Sequence, residues 1–261
     1  MRLSGHKLKF WKRKKPAKTK VEKPDPLAQF LMELGKFEQA GNEVIGRPAR
    51  VLGTTILTWR GSGSRLVFGA NVELFKTTLN FNAGGGEIGF ADETRPSGKF
   101  IVAEGGRIAI GRGTRFNKMA WLQAHEGKAI TVGEHCLFAD VRVRTSDLHS
   151  IISLDDGRRL NASRDVEIED RVWLAEKAHI YKGSRIGRGS IVGAHAVVSG
   201  QIPAFTAIAG NPAKVIRTGV TWVWPMTAET GAPDYTGALL AGDDPGSPVA
   251  YRKPKGPAAA G

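Results

Sequence analysis

One cysteine, Cys136, stands in 261 residues, so no disulfide can form within the chain. That suits a reducing compartment. No apolar run is long enough to be a candidate for a helix across a membrane. The segment from Met1 to Lys15 is positively charged but lacks an apolar stretch behind the charge, so it does not read as a secretory signal. Together these absences predict a cytoplasmic protein. Acid is also scarce: 25 Asp and Glu face 38 Lys and Arg, for a net charge of +13. The excess is local, because residues 1–23 hold ten Lys/Arg against one acid and so carry +9 of it. The body is nearly balanced, which argues against a nucleic-acid-binding surface. The arm itself suits either an anionic partner or a solvated tail.

Glycine is in excess, 33 of 261 residues, nearly double the roughly 7% of ordinary proteins and without a collagen period, which points to many tight turns. Residues 1–25 read as a basic disordered arm. From Pro26 to about Ala40, Leu27, Phe30, Leu31, Leu34 and Phe37 recur at helical spacing, with Asp25 as cap and Pro26 in the first turn. A short helix and linker are therefore expected over 26–49. Residues 225–261 are rich in Pro, Gly and Ala with few apolar anchors, and read as a tail.

Between the ends lies a repeat. Ile168, Leu174, Ile180, Ile186, Val192 and Val198 recur with a period of six, and the position four after each holds a small or aliphatic residue: Val172, Ala178, Ser184, Ser190, Ala196, Ile202. A helix would need a period of 3.6 and an ordinary strand 2.0. Six fits a short strand plus a turn on one face of a triangular prism whose coils bury their interior by stacking. The phase extends upstream through Ile110, Phe116 and Leu122, then through Val132 and Phe138, with a bulge near Glu126-Gly127. Before residue 100 it is poor: Phe68 and Leu74 fit and Asn80 does not. Gly84-Gly85-Gly86 and Arg95-Pro96-Ser97-Gly98 read as wide turns. The expectation is an all-β, left-handed parallel β-helix over 50–224. Between Phe138 and Ile168 the aliphatic slots hold Arg144, Ser150, Asp156 and Ala162. A stretch of about 145–164 should therefore leave the prism as an excursion, and loops on rigid scaffolds often carry chemistry.

Three segments extend the pattern: Thr145-Ser146-Asp147-Leu148-His149-Ser150, Glu169-Asp170-Arg171-Val172-Trp173-Leu174, and Ala209-Gly210-Asn211-Pro212-Ala213-Lys214-Val215-Ile216-Arg217. With the hexads, they resemble the sugar O-acetyltransferase branch of the left-handed β-helix acyltransferases, which includes galactoside, maltose, capsular-polysaccharide and polysialic-acid O-acetyltransferases. The resemblance implies a homotrimer that moves an acetyl group from acetyl-CoA to a hydroxyl of a carbohydrate, without a metal. It implies His149 as the catalytic histidine, since the spacing from His149 to Trp173 matches the branch's interval. Trp173 would line the acyl or acceptor site. Ala194, Ser199, Lys214 and Arg217 would contact the donor. Gly200 departs from the pattern where relatives have lysine, and Glu176 where they often have a small polar residue.

The chemistry agrees with those residue types. An alcohol attacking a thioester needs a base, and a histidine of ordinary pKa near 6.5 is mostly neutral at pH 7. Lysine and arginine suit the phosphates of coenzyme A. Asp147 lies two positions before His149, a spacing that by itself assigns nothing. The other histidines of the body, at 125, 135, 179 and 195, read as turn or surface residues. A three-histidine zinc site on this fold needs two of its histidines about five positions apart, and no such pair exists here. The remaining alternatives are N-acetylation of an amino sugar and an inactive β-helix scaffold. Acceptor specificity belongs to the least patterned parts, 54–130 and 144–165.

Overall fold

The computed structural model describes residues 25–223, so the basic arm and the Pro/Gly/Ala-rich tail lie outside the described residues. Each coil of the chain visits three faces in turn. The first face is an eight-stranded parallel sheet from Glu43–Ile45 to Gln201–Ile202. The second pairs Arg50–Leu52 with Glu73–Phe75 and continues, through a bridge between Arg95 and Arg115, into a six-stranded sheet from Arg115–Phe116 to Lys214–Thr218. The third is a seven-stranded parallel sheet from Ile56–Trp59 to Val197–Val198. About seven coils stack into a left-handed β-helix.

Vertical register explains the period. Phe68, Phe90, Ile110, Val132, Ile168, Ile186 and Ile202 stand one above another on the first face. From Ile168 to Ile186 the coil is three hexads long, and every aliphatic at the hexad phase from Ile168 to Val198 is buried. Upstream coils, such as Phe68 to Phe90 and Ile110 to Val132, are longer than three hexads and wider. Phenylalanine fills that width, with Phe68, Phe90, Phe100, Phe116 and Phe138 in successive ring contacts at 4.7–6.0 Å. The small hexad position faces the corners, where hydroxyls satisfy turn carbonyls. Thr114 Oγ1 donates to Gly133 O (2.9 Å) and Ser190 Oγ to Pro203 O (2.9 Å). Cys136 occupies the same kind of position, fully enclosed, and burial pushes its thiol up to about 12.

Three expectations need correction. The solenoid begins before residue 50, since Glu43–Ile45 pairs in parallel with Arg65–Val67 one coil on. Asn80 is no break in the helix either: the buried residues of its strand are Leu79 and Phe81, and Asn80 points outward. The wider coils are not a whole number of hexads, so a six-residue phase cannot survive them and the repeat breaks there. Gly98, expected in a wide turn, opens the third-face strand Gly98–Val102.

The helix Pro26–Gln39 closes the N-terminal end of the prism. Asp25 caps it, its carboxylate accepting from Leu27 N (3.2 Å) and Ala28 N (3.4 Å). Phe30, Leu34 and Phe37 are buried, and the Phe37 ring lies 5.1 Å from Phe81. At the other end Lys214–Thr218 turns back antiparallel on Thr206–Ala209, which ends the parallel stacking.

Gly98 tests how tightly the coils approach. Its φ is +124°, and a Cβ there would meet Ala120 O of the next coil at 2.0 Å. Gly98→Ala should cost at least about 2 kcal/mol in chemical denaturation, since both the backbone and the neighbouring coil must yield.

Candidate functional site

The chain leaves the prism after Arg144, at the corner between the third and first faces, and rejoins it at Val166–Ile168. At the neck of this excursion Arg164 N donates to Thr145 O (3.0 Å). Beyond the neck, Ile152 and Arg159 form an antiparallel bridge, so the tip is a small hairpin. Contacts above and below hold it to the corner. Above, Arg159 makes a two-pronged ion pair with Glu126 in the turn of the preceding coil (2.9 and 3.0 Å). Below, Lys182 reaches up to the Asp147 carboxylate and to Asn161 O (2.9 Å).

Asn161 organises the interior of the excursion. It is 8% exposed. Its Nδ2 donates to His149 O (2.7 Å) and Asp147 Oδ2 (2.8 Å), while its Oδ1 accepts from Ile151 N (2.8 Å). One amide thus fixes the backbone on both sides of Ser150, and the His149 side chain stands exposed on a restrained chain. Asp147 orients the loop through Asn161 and Lys182. The Lys182 ammonium holds its carboxyl below the usual range, with Asn161 adding to the effect.

Ser199 lies at the same corner as His149, after the last third-face strand. Beside it Gly200 has φ +99° with open space where a side chain would go, a conformation a lysine would adopt only with strain. Ala194 is exposed at the corner between the second and third faces, and Lys214 and Arg217 are exposed on the terminal antiparallel strand. Glu176, which stands where the resemblance has a small polar residue, forms an ion pair with Lys118 (2.9 Å), which neutralises it locally.

Trp173 is half-buried on the second face, its ring 6.2 Å from that of Trp222, whose Nε1 donates to Arg171 O (2.6 Å). In a three-faced prism the second face lies opposite the corner between the third and first. A single chain therefore puts His149 and Trp173 on opposite sides. The other histidines match the turn-or-surface expectation in part: His135 and His195 do, His179 and His125 do not. His135 and His195 sit in turns at positive φ. His179 is half-buried in a strand of the third face. His125 packs against the neck of the excursion, where its backbone N–H donates to Thr145 Oγ1 (3.0 Å). Its Nε2 is enclosed without a hydrogen-bond partner, and burial lowers its pKa. Among the described residues no group of three or more His, Cys, Asp or Glu is placed to hold a metal ion. No helix among them is long and apolar enough to cross a membrane.

The sequence reading missed Asn161, Lys182 and Trp222. Asn161 and Lys182 act on partners far along the chain, and only the failed hexad slots hint that such partners are needed.

Comparison with known proteins places this geometry. Residues 165–200 match the bacterial transferase hexapeptide family (six repeats). Over 134 residues the chain is 31% identical to a polysialic acid O-acetyltransferase of Escherichia coli O1:K1 / APEC, covering 51% of this chain and 43% of the relative. It is 34% identical, over 51% of this chain and 62% of the relative, to a putative lipopolysaccharide biosynthesis O-acetyl transferase of Escherichia coli K12. The chain thus spans less than two thirds of the length of these curated relatives. In the fold, it superposes on the crystal structure of the polysialic acid O-acetyltransferase OatWY with a TM-score of 0.64 at 24% identity, covering 75% of this chain and 97% of that one. Residues 165–200 thus match the hexapeptide-repeat family, and about half of the chain is similar to proteins named as O-acetyltransferases.

Asn161→Ala would leave a carboxylate, a carbonyl and an amide short of a partner, at about 1–3 kcal/mol confined to the excursion. Hydrogen exchange at the Ile151 amide should accelerate by about tenfold or more, while core amides such as that of Ile180 keep their protection. Asp147 has a lowered folded pKa, so its contribution is complete above the unfolded carboxyl value of about 3.9 and is lost as pH falls through the lower folded value. The side-chain carboxyl carbon shift of Asp147 should therefore hold its ionised value to about pH 4 and move only below it.

Proposed function

We propose that this protein transfers an acetyl group from acetyl-CoA to a hydroxyl of a carbohydrate, with His149 as general base. The observation that carries the reading is the excursion: an exposed histidine on a backbone pinned by Asn161, in a chain similar over half its length to proteins named as O-acetyltransferases. His149 takes the proton of the acceptor hydroxyl as its oxygen attacks the thioester carbonyl. The tetrahedral adduct collapses, the C–S bond breaks, and the thiolate of coenzyme A leaves with a proton returned from the imidazolium. Ala194 and Ser199 flank the donor, and Lys214 and Arg217 meet its phosphates. Trp173 lines the acyl or acceptor side. Such a donor is met in the cytoplasm, where we place the protein.

The site is completed by a second copy. His149 and Trp173 lie on opposite sides of one prism, so they can meet only between prisms. The apolar side chains left exposed fit this: Leu148, Ile151 and Leu160 on the excursion, Val215 and Ile216 on the terminal strand. A homotrimer closes the arrangement symmetrically. The catalytic unit is the prism with its excursion, and residues 1–25 and 225–261 are not needed for the chemistry.

Two measurements test this. His149→Ala should lower kcat by roughly 10²–10⁴-fold with melting temperature and coenzyme A affinity unchanged, because the exposed ring fills no cavity. Survival of kcat within about threefold places the base elsewhere. Sedimentation at micromolar concentration should show a trimer, and a stable monomer would remove the composite site.

A further inference from the structure

Charges on this prism are arranged differently on its faces. On the first face they alternate in sign from coil to coil: Arg65 pairs with Glu43 (2.8 Å) and lies 3.7 Å from Glu87, and Arg185 lies between Glu167 and Glu169. The N-terminal part of the second face does the same, with Glu73 between Arg50 and Arg95. The third face does not. Its outward column runs Lys99, Trp121, Arg142, His179 in adjacent coils. The column beside it carries Arg144 next to Tyr181. Among the described residues no acid forms an ion pair with Lys99, Arg142 or Arg144. Aromatic rings hold them instead: Lys99 Nζ stands 5.2 Å and the Arg142 guanidinium 4.9 Å from the Trp121 ring, and the Arg144 guanidinium 5.1 Å from Tyr181.

Lys99 and Arg142 stand two coils apart, about 10 Å, with Trp121 in the coil between, and Arg144 shares the strand of Arg142. Like charges gathered on one face are unfavourable without a counter-charge. His179 registers that field: burial first, then Arg142 and Arg144, hold its pKa below the usual value. Asp140 lines the same hollow as Arg142 and His179 without forming an ion pair with either, and Asp147 is already engaged by Lys182. The first face shows that the fold can place a Glu opposite each Arg, so the unpaired column calls for an anion from outside.

We infer that the third face is a track for an acidic oligosaccharide chain, which lies along the prism axis with its carboxylates on Lys99, Arg142 and Arg144. The argument rests on charge complementarity and on the shape of the site. The cations are spread over a flat sheet, Lys99 and Arg142 two coils apart with Trp121 between them and Arg144 on the strand of Arg142, which suits an extended polymer of repeating charge rather than one compact ion. Trp121, with a cation on either side of its ring, and Tyr181, stacked by Arg144, offer their apolar edges to sugar rings between the charges. The main column lies toward the second-face edge of the sheet, and Arg144, at the end of the strand that Arg142 opens, extends the track to the corner from which the His149 excursion leaves. The inference rests on the transfer reading for its role, since the track would deliver the acceptor. Its occupancy can be tested without turnover.

The test is calorimetric titration of the full chain with hexagalacturonate, with maltohexaose as the neutral counterpart, a short single-stranded RNA as another polyanion, and coenzyme A in a separate arm. Wild type should bind hexagalacturonate, lose it at high salt, and bind maltohexaose and RNA more weakly. Lys99→Gln/Arg142→Gln should weaken hexagalacturonate by about tenfold or more with coenzyme A affinity unchanged, and Arg142→Lys should recover part of the loss. If the double variant fails to fold, Arg144→Gln alone serves, with a severalfold weakening expected. The inference is overturned if wild type binds the uronate no better than maltohexaose, if RNA binds more tightly than the uronate, if the variants bind the uronate as wild type does, or if coenzyme A affinity falls in parallel, which would assign these cations to the donor. Failure of the transfer reading shows separately, as a chain that binds the uronate on this face but does not bind coenzyme A.

Discussion

Every backbone hydrogen bond of the parallel prism walls runs from one coil to the next. The register those bonds impose decides nearly everything else. A residue's partner is the residue one coil away, not a neighbour in sequence, so each inward column must fill the same slice of the prism in every coil. Where the coil shortens to three hexads, as from Ile168 to Ile186, the columns hold Ile, Leu and Val. Where it widens, as from Phe68 to Phe90, they hold phenylalanine. The match of coil width to side-chain volume keeps the interior at crystal-like density without a second layer of structure around it. It also explains the cost of any side chain at Gly98, where the walls of two coils nearly touch.

The excursion lives by other rules. It buries little apolar surface of its own; Leu148, Ile151 and Leu160 stay exposed. Polar contacts hold its shape instead: Asn161 within, Arg159 to the coil above, Lys182 from the coil below. Exposed ion pairs such as Arg159–Glu126 contribute only about 0.2–1 kcal/mol each, so Asn161, which is buried, is the stronger restraint. A restrained backbone carrying an exposed side chain is what a general base requires, because the ring must meet substrate while its position stays fixed.

The legibility of this protein in its sequence follows the same division. The coupled slots from Ile168 to Val198 are readable because each coil there is a whole number of hexads. The helix is readable because Asp25 and Pro26 act locally, within one turn. Arg144, Ser150, Asp156 and Ala162 mark the excursion by failing the lattice. What cannot be read are the relations that cross coils of unequal length. Lys99, Trp121, Arg142 and His179 form one column, yet no two of the steps between them are equal. No fixed period connects them, and only the register of the sheets does. Asn80 misleads for the same reason, since its coil steps by five from Leu74 to Leu79. The placement of His149 against Trp173 is hidden for a different reason. Their interval says how much chain separates them, but not that the chain passes around two corners of a prism.

That separation constrains how the faces can be used. The second face and the excursion expose apolar side chains and carry the two halves of the proposed site, so they are the surfaces that a second copy must cover. The first face satisfies its own charges and can face water at little cost. The third face does neither: its cations are held on aromatic rings and lack acids. If copies meet through the excursion corner of one and the second face of the next, the third face remains open between two such junctions. On the proposed reading, an open, cationic wall running between neighbouring sites would give a long acceptor a surface on which to lie while one hydroxyl after another reached His149. A monomer with the same residues would have the wall and the base, but no tryptophan opposite the base.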